Sequence, residues 1–359
     1  MFYKAELKYR KPNFNKDLDV SKEKTKEFNL PLVNAKDGDN GIMYYGRESD
    51  FDSAKMTIDI VNDGAISTGN VYPQPQKTGV LYNAYLIVPY FTATRHNLFF
   101  VSCVIQKSIK NKFGYEHKAS WDRVKKEMIL LPIKENGEID FDFMENFVAE
   151  LEARRVAELE AYLLATGLKD YALTEEERNA LYNYKTLKWS TYNLEELFGK
   201  STRGKRLKGD DRIAGTLPFV TAGEACEGIS AFIGNKVEIF ESNTATIDMF
   251  GSAKYRNYRY GADDHVAVVH TEKIAYKAAI FTTSAIHKAA HTGKFDYGHN
   301  FYAKDADALD IMLPERDGLP DYKYMETLIS AIQKLVIKDV VLYADSKIAE
   351  TKAIILKQS

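Results

Sequence analysis

The chain repeats itself, and that repetition limits its possible folds more tightly than any other feature. Leu30-Pro31-Leu32-Val33 returns as Leu217-Pro218-Phe219-Val220, and Gly41-Ile42 returns as Gly228-Ile229, both 187 positions on. Thr57-Ile58-Asp59 matches Thr246-Ile247-Asp248 at an offset of 189. Lys112-Phe113-Gly114-Tyr115-Glu116-His117 answers Lys294-Phe295-Asp296-Tyr297-Gly298-His299. Each is followed by a Leu-Pro pair and then a helix opening, Asp140-Phe141-Asp142-Phe143-Met144-Glu145 against Asp321-Tyr322-Lys323-Tyr324-Met325-Glu326. Matches kept in one order with slowly drifting offsets make duplication the economical explanation, and a duplicated unit implies a two-part task.

At 359 residues, the chain is long enough for two cores of roughly 130 to 140 residues each, plus connectors. Cys103 and Cys226 sit at non-matching positions, so thiols supply neither a disulfide framework nor a four-ligand zinc site. Met1 leads into Phe2-Tyr3-Lys4 without an apolar signal core, and no run approaches the ~18 uninterrupted apolar residues of a membrane helix. The cytoplasm is the expected compartment, with no membrane partner.

A net charge of −2 argues against nucleic acid when taken alone, but its distribution does not. Lys107, Lys110, Lys112, Lys118, Arg123, Lys125 and Lys126 form one basic run; Lys200, Arg203, Lys205, Arg206, Lys208 and Arg212 form another. The acidic excess gathers between Glu135 and Glu160. Such segregation brings basic faces to phosphates, or else leaves two solvated surfaces.

Each copy follows the same plan: short strand-like runs, then a long helix. The runs are Lys55–Val61, Gly79–Val88 and Phe99–Ile105 in the first copy, and Lys236–Ile239, Ala245–Met249 and His265–Val269 in the second. A helix over residues 141–166 carries Phe143, Phe147, Leu151, Val156, Leu159 and Leu163 at spacings of three to five, and stops at Gly167. A second, from about Asp321, carries Met325, Leu328, Ile332 and Leu335 beside Val340 and Tyr343. Between them Thr174, followed by three glutamates, reads as the N-cap of a short connecting helix. The expected division is residues 1–140, a helix over 141–168, a connector over 169–188, a second unit over 189–320 and a closing helix with tail over 321–359. If the two helices pair antiparallel, the units stand at opposite ends of a rod related by a pseudo-twofold. About 26 residues at ~1.5 Å each give ~39 Å, near the ~34 Å of one turn of duplex DNA.

Several segments carry a resemblance to a known family. These are residues 189–198, opening on Trp189 and ending on Leu197-Phe198; Gly204-Lys205-Arg206-Leu207; the run from Leu217 to Gly223; Thr246-Ile247-Asp248-Met249-Phe250-Gly251-Ser252-Ala253; the Lys-Phe-x-Tyr stretches; and Ala165-Thr166-Gly167-Leu168-Lys169-Asp170-Tyr171. Together they resemble the DNA-specificity subunits of type I and type IIB restriction-modification systems. The likeness covers essentially the whole chain and is strongest from Asp140 to Met325. The first copy departs from it: Met1 to Glu27 lacks the Trp and Leu-Phe opening, and the turn after Thr57-Ile58-Asp59 is longer.

The resemblance implies an α+β fold: two similar mixed α/β target recognition domains separated by two long helices that pair as an antiparallel coiled coil. It further implies a non-catalytic subunit without cofactor, each domain reading half of a bipartite, asymmetric site on double-stranded DNA. The helices would act as ruler and as dock for two adenine-N6 methyltransferase subunits, and through them a restriction nuclease subunit. Phe147, Leu151, Leu159, Leu328, Ile332, Leu335, Val340 and Tyr343 would carry those partner contacts. No Pro-Pro pair is present, so the Asn-Pro-Pro-Tyr or Asp-Pro-Pro-Tyr motif that handles a flipped base is missing. A phosphate-binding Gly-x-x-x-x-Gly-Lys-Ser/Thr loop is missing too.

For DNA contact the best tract is Lys254-Tyr255-Arg256-Asn257-Tyr258-Arg259-Tyr260. As a strand it sends Lys254, Arg256, Tyr258 and Tyr260 one way, where Arg can meet guanine O6 and N7; alternatively it is an edge strand blunted by charge. The first copy offers Asn70, Tyr72, Gln74, Gln76 and Lys77, whose amides suit adenine, or which form a proline-stiffened loop. Arg203, Lys205, Arg206 and Lys208, set among glycines, suit sequence-independent phosphate clamping. Lys112, Tyr115, His117 and Lys118, with Lys294, Tyr297 and His299, face DNA or serve the shared fold. His287 and His291 stand four apart, but Lys288 occupies the place of the glutamate a zinc-protease helix needs, and no metal site is expected. The competing class is a tandem-domain scaffold binding protein or peptide without DNA specificity.

Overall fold

The computed structural model describes residues 1–358, with side chains through Glu350. It contains two units, Met1–Glu158 and Leu159–Glu350, each with mixed α/β architecture.

In the first unit, β1 (Phe2–Lys4), β2 (Leu30–Val33), β3 (Ile42–Gly46), β4 (Thr57–Val61), β5 (Val71–Gln74), β6 (Gly79–Val80) and β7 (Ala84–Pro89) form two sheets. The larger runs β1-β7-β4-β5, all antiparallel. In the smaller, β2 lies between antiparallel β3 and parallel β6. Helix α1 (Arg95–Ile109) packs against the larger sheet, and its Leu98, Val101, Ile105 and Ile109 join Ile58, Ile60 and Ile87 in one core. Each such side chain contributes about 1.5–3 kcal/mol by leaving water. All five residues of β4 are buried, because both of its faces are covered. Phe99–Ile105, expected as a strand, lies inside α1. An unbroken apolar run does not declare its period, and Thr94 decides the matter by accepting from the Asn97 N–H as N-cap.

Helix α2 (Phe141–Ala165) ends where Gly167 takes φ +70°. Helix α3 (Glu175–Asn183) begins in a capping box between Thr174 and Glu177.

The second unit comprises β8 (Trp189–Asn193), β9 (Thr202–Arg203), β10 (Ala214–Val220), β11 (Ile229–Ile233), β12 (Thr244–Asp248), β13 (Ala253–Arg256), β14 (Gly261–Ala262), β15 (Val266–Val269), helix α4 (Tyr276–Ala290), β16 (Asp310–Arg316) and helix α5 (Tyr322–Gln358). Its larger sheet runs β9-β15-β12-β13, and in its smaller sheet β10 lies between antiparallel β11 and parallel β14. The order and sense of these strands therefore repeat those of the first unit, whose smaller sheet carries one additional edge strand, Val20–Ser21, antiparallel to β3. Lys236–Ile239, expected as a strand, joins no ladder; only the neighbouring Phe240 bridges, to Tyr260. A third ladder is particular to this unit: β8, where the chain enters, pairs with β16, where it leaves, from Trp189↔Pro314 to Asn193↔Asp310.

Register fixes which residues correspond. Thr57 faces Gln74 and Asp59 faces Tyr72 in the first unit; Thr244 faces Arg256 and Thr246 faces Lys254 in the second. Asp59 thus corresponds to Thr246, not to Asp248 as the Thr-Ile-Asp match suggested. The match is displaced by two residues, which a strand tolerates because its side chains alternate with a period of two.

Within the second unit the last turns of α2 meet α5: Leu163, Val341 and Ala344 are buried together, with Leu159, Leu168 and Ile337 against them. Lys169 bridges Glu160 and Asp345, and Lys334 bridges Asp170 and Glu177. Among the described residues no helix is long and apolar enough to cross a membrane.

Candidate nucleic-acid interface

The two tracts expected to face DNA turn largely inward. Arg256 is 1% exposed; its Nε donates to Thr246 Oγ1 at 3.0 Å and a terminal nitrogen to Tyr258 Oη at 2.9 Å. Tyr260 is fully buried and shares its hydroxyl hydrogen bond with Thr244. The expected strand stops at Arg256, short of Tyr258 and Tyr260; Arg256 still lies 5.9 Å from the Tyr260 ring, both covered, so the outward role expected of Arg256 is corrected. Tyr255 donates to Asn243, and Lys254 is held by Glu224 and Ser252. Asn257 and Arg259 are the exposed members of the tract, with Arg259 paired to Glu241 at 3.2 Å.

The same correction applies to the first unit. Asn70 and Gln74 are buried. Asn70 Nδ2 donates to Asp37 Oδ1 at 2.7 Å and to Tyr72 Oη at 2.9 Å. Gln74 Nε2 donates to the Asn40 carbonyl at 2.7 Å, while its Oε1 accepts from Gln76 and Thr78. Of the five candidates only Gln76 and Lys77 are exposed, and Lys77 pairs with Glu48.

The basic loop faces solvent. Arg203, Lys205, Arg206 and Lys208 are all exposed. Among the described residues Arg203, Lys205 and Lys208 have no carboxylate partner, whereas Arg206 approaches Asp264 at 3.6 Å and His265 at 3.3 Å. In the first unit three cations around the smaller sheet are paired, while Lys22, Lys24 and Lys26 are exposed with no carboxylate partner among the described residues. Arg10 pairs with Asp52, Lys11 with Asp50, and Arg47 with Glu27, each at 2.7 Å.

The twin Lys-Phe-x-Tyr-x-His stretches adopt one geometry. Phe113 stacks on His117 and Phe295 on His299, both with ring centroids 5.4 Å apart. The phenylalanines face their cores, while Tyr115 (75% exposed) and Tyr297 (85%) project. Lys112 pairs with Glu127 and Lys118 with Asp63; Lys294 has no partner among the described residues. His287 and His291 stack at 4.8 Å, with Nδ1 of His287 accepting from the Ala253 N–H.

Of the helix positions expected to meet partners, Leu328 is core at 3% exposure, because the broad apolar stripe of α5 also serves its own unit. Leu159 is half-buried against the Leu163 cluster. Phe147, Leu151, Ile332, Leu335, Val340 and Tyr343 remain exposed.

Sequence reasoning missed two features. Asp59 is fully buried and neither of its oxygens has a hydrogen-bond partner; burial alone pushes its carboxyl well above the usual carboxylate range. The turn before β3, and its counterpart before β11, holds consecutive non-glycine residues in the left-handed region: Asp39 and Asn40 at φ +45° and +53°, Cys226 and Glu227 at +48° and +55°. The only advance signal was the repeated Gly41-Ile42 and Gly228-Ile229, which marks where each turn closes.

The family described as Type I restriction modification DNA specificity domain matches residues 10–161. The specificity subunit S.BcgI of the Type II restriction enzyme BgcI, from Heyndrickxia coagulans, is 25% identical over 335 residues, covering 90% of this chain and 91% of that protein. Among solved structures, the S subunit of a Type-I restriction-modification system from M. genitalium aligns with a TM-score of 0.58 at 16% identity, covering 99% of this chain and 94% of that one. At that identity the structural likeness shows a shared fold.

Proposed function

Starting from a chain that carries the DNA specificity domain of type I restriction modification systems over residues 10–161 and is similar along its length to specificity subunits, we infer that it selects the DNA target of a restriction-modification complex. Each unit reads one half of a bipartite, asymmetric site on double-stranded DNA. The long helices set the stride between the halves and, through the exposed Phe147, Leu151, Ile332, Leu335, Val340 and Tyr343, receive adenine-N6 methyltransferase subunits, which carry the chemistry. The chain itself is non-catalytic.

The observation that carries this reading is the repeated strand order of the two units, combined with the divergence of their polar surfaces. One scaffold used twice with different faces suits two different half-sites. Arg203, Lys205 and Lys208 supply phosphate contacts that hold any sequence, while the exposed Asn257 and Arg259 add further polar contacts.

Fluorescence anisotropy with duplexes carrying a selected bipartite site tests it. Binding should weaken steeply between low and moderate salt, as counterion release requires. Affinity indifferent to salt, with tight capture of an unrelated peptide, would support the scaffold reading instead. Cleavage of plasmid by the purified chain with magnesium alone would reject a non-catalytic role.

A further inference from the structure

The polar residues of β5 and β13 do not point to solvent because they hold something else. In the first unit Asn70 grips Asp37, Tyr72 Oη accepts from the Gly38 N–H at 2.9 Å, and Gln74 Nε2 grips the Asn40 carbonyl. Asn40 returns a bond to the Pro73 carbonyl at 2.9 Å. In the second unit Lys254, which corresponds to Tyr72, bridges to Glu224 at 3.2 Å, and Asp248 accepts from the Gly223 N–H at 3.3 Å. Arg256, which corresponds to Gln74, lies directly beneath Gly228: a Cβ built there would stand 3.8 Å from its guanidinium. Both units thus set the same two strand positions against the same hairpin turn, Gly38–Gly41 and Gly223–Gly228, by hydrogen bonds in the first and, in the second, by the Lys254–Glu224 ion pair with Arg256 packed under Gly228.

That turn is strained in the same way twice. Three consecutive residues take left-handed backbone in each, closing on Gly41 at φ +73° and Gly228 at +79°. Asn accepts this conformation readily, but Cys and Glu do not. Their presence in the second turn is not explained by the fold, which would be better served by Asn or Gly. Strain of this kind persists where surroundings over-determine it, and it concentrates at sites that bind. The side chains at the tip differ between the units while the backbone does not; Asp39, paired with Lys36 at 2.5 Å, and Glu227 are both exposed.

We propose that this turn is the base-reading tip of each unit, with Asp39 in the first and Glu227 in the second accepting hydrogen bonds from the amino groups of cytosine or adenine at the major-groove edge. A carboxylate brought among phosphates discriminates more than it attracts: the correct amino group satisfies it, and any other base leaves Glu227 desolvated and unpaired and Asp39 with Lys36 alone. A two-stranded ribbon fits the major groove. The strand tracts are therefore positioning residues, and the readers stand one layer further out. This rests on the functional reading above.

The test is selection from a duplex library randomised over both half-sites, using the full chain and the variants Asp39→Ala and Glu227→Ala. Asp39→Ala should relax discrimination by about tenfold or more at one or two positions of one half-site, and Glu227→Ala should do so in the other. Binding to non-cognate duplex should hold or rise, since a negative charge has been removed. Glu227→Gly, which relieves the backbone strain, should show the same loss of selectivity in a chain at least as stable as the parent. Variants that select the same bases as the parent overturn the proposal. So do variants that keep base selection but lose a methyltransferase partner. A parent chain that selects no sequence at all overturns the functional reading, and this proposal with it.

Discussion

The two units share a backbone plan down to the register of their central strands, yet they arrange their paired and open cations differently. Around its smaller sheet the first unit ties Arg10, Lys11 and Arg47 to Asp52, Asp50, Asp19 and Glu27, so these serve its own cohesion, while Lys22, Lys24 and Lys26 stay exposed without a carboxylate partner among the described residues. The second leaves Arg203, Lys205 and Lys208 open to solvent. Copying a scaffold preserves what packing demands; surface charge is under no such constraint and drifts to whatever each half must do. A duplicated protein of this kind separates the two kinds of requirement within one chain.

The largest effect should come from removing the open cations together. In the Arg203→Ala, Lys205→Ala, Lys208→Ala variant, the slope of log affinity against log salt should fall by about 0.9 for each phosphate no longer neutralised, with all sequences weakened alike. Lys11→Ala in the first unit should leave that slope unchanged and lower thermal stability instead. Equal slopes for both variants would erase the contrast between the units.

Next comes Arg256→Ala, which strips the partner from Thr246 Oγ1 and Tyr258 Oη and opens a buried void. It should cost about 3 kcal/mol in denaturant unfolding. A selective loss of one half-site without loss of stability would instead restore Arg256 as a reader of bases.

Asp59→Asn sharpens the comparison from the other side, because the corresponding Thr246 has no charge to bury. Burial holds the Asp59 carboxyl well above the value near pH 4 at which it ionises in the unfolded chain. The folded state therefore holds the extra proton, and stability falls as pH rises from that point toward the folded-state value. The variant should match the parent below about pH 3.5 and melt higher at neutral pH. A constant difference across that range would mean that Asp59 is not titrating.

The smallest effect is expected at the turn. Glu227→Gly should raise stability by up to about 1 kcal/mol by removing a left-handed non-glycine residue, whereas Asn40→Gly should gain nothing, since Asn tolerates that backbone and the variant forfeits the bond to Pro73.

Much of the fold was legible in the sequence because it rests on periodic or capped features. The long helices announce themselves through apolar spacing, and α3 through Thr174 and its glutamates. Phe99–Ile105 was not legible, since seven mostly apolar residues in a row suit a buried strand as well as a helix. The interface was legible only in part. The tract was expected as a strand through Tyr260 but the strand ends at Arg256, and a period of two says which residues share a face and nothing about whether that face is covered. Burial of an arginine is decided by Thr246 and Tyr258, partners that no local pattern announces. The left-handed turns escaped notice because Cys226 and Glu227 carry no propensity for that backbone.

The ladder between Trp189–Asn193 and Asp310–Arg316 has one further consequence. It zips the incoming and outgoing ends of the second unit side by side, so everything between them forms a closed loop whose only covalent ties to the rest lie next to each other. Such a segment can be lifted out and replaced by another with the same paired ends, leaving the host chain's path intact.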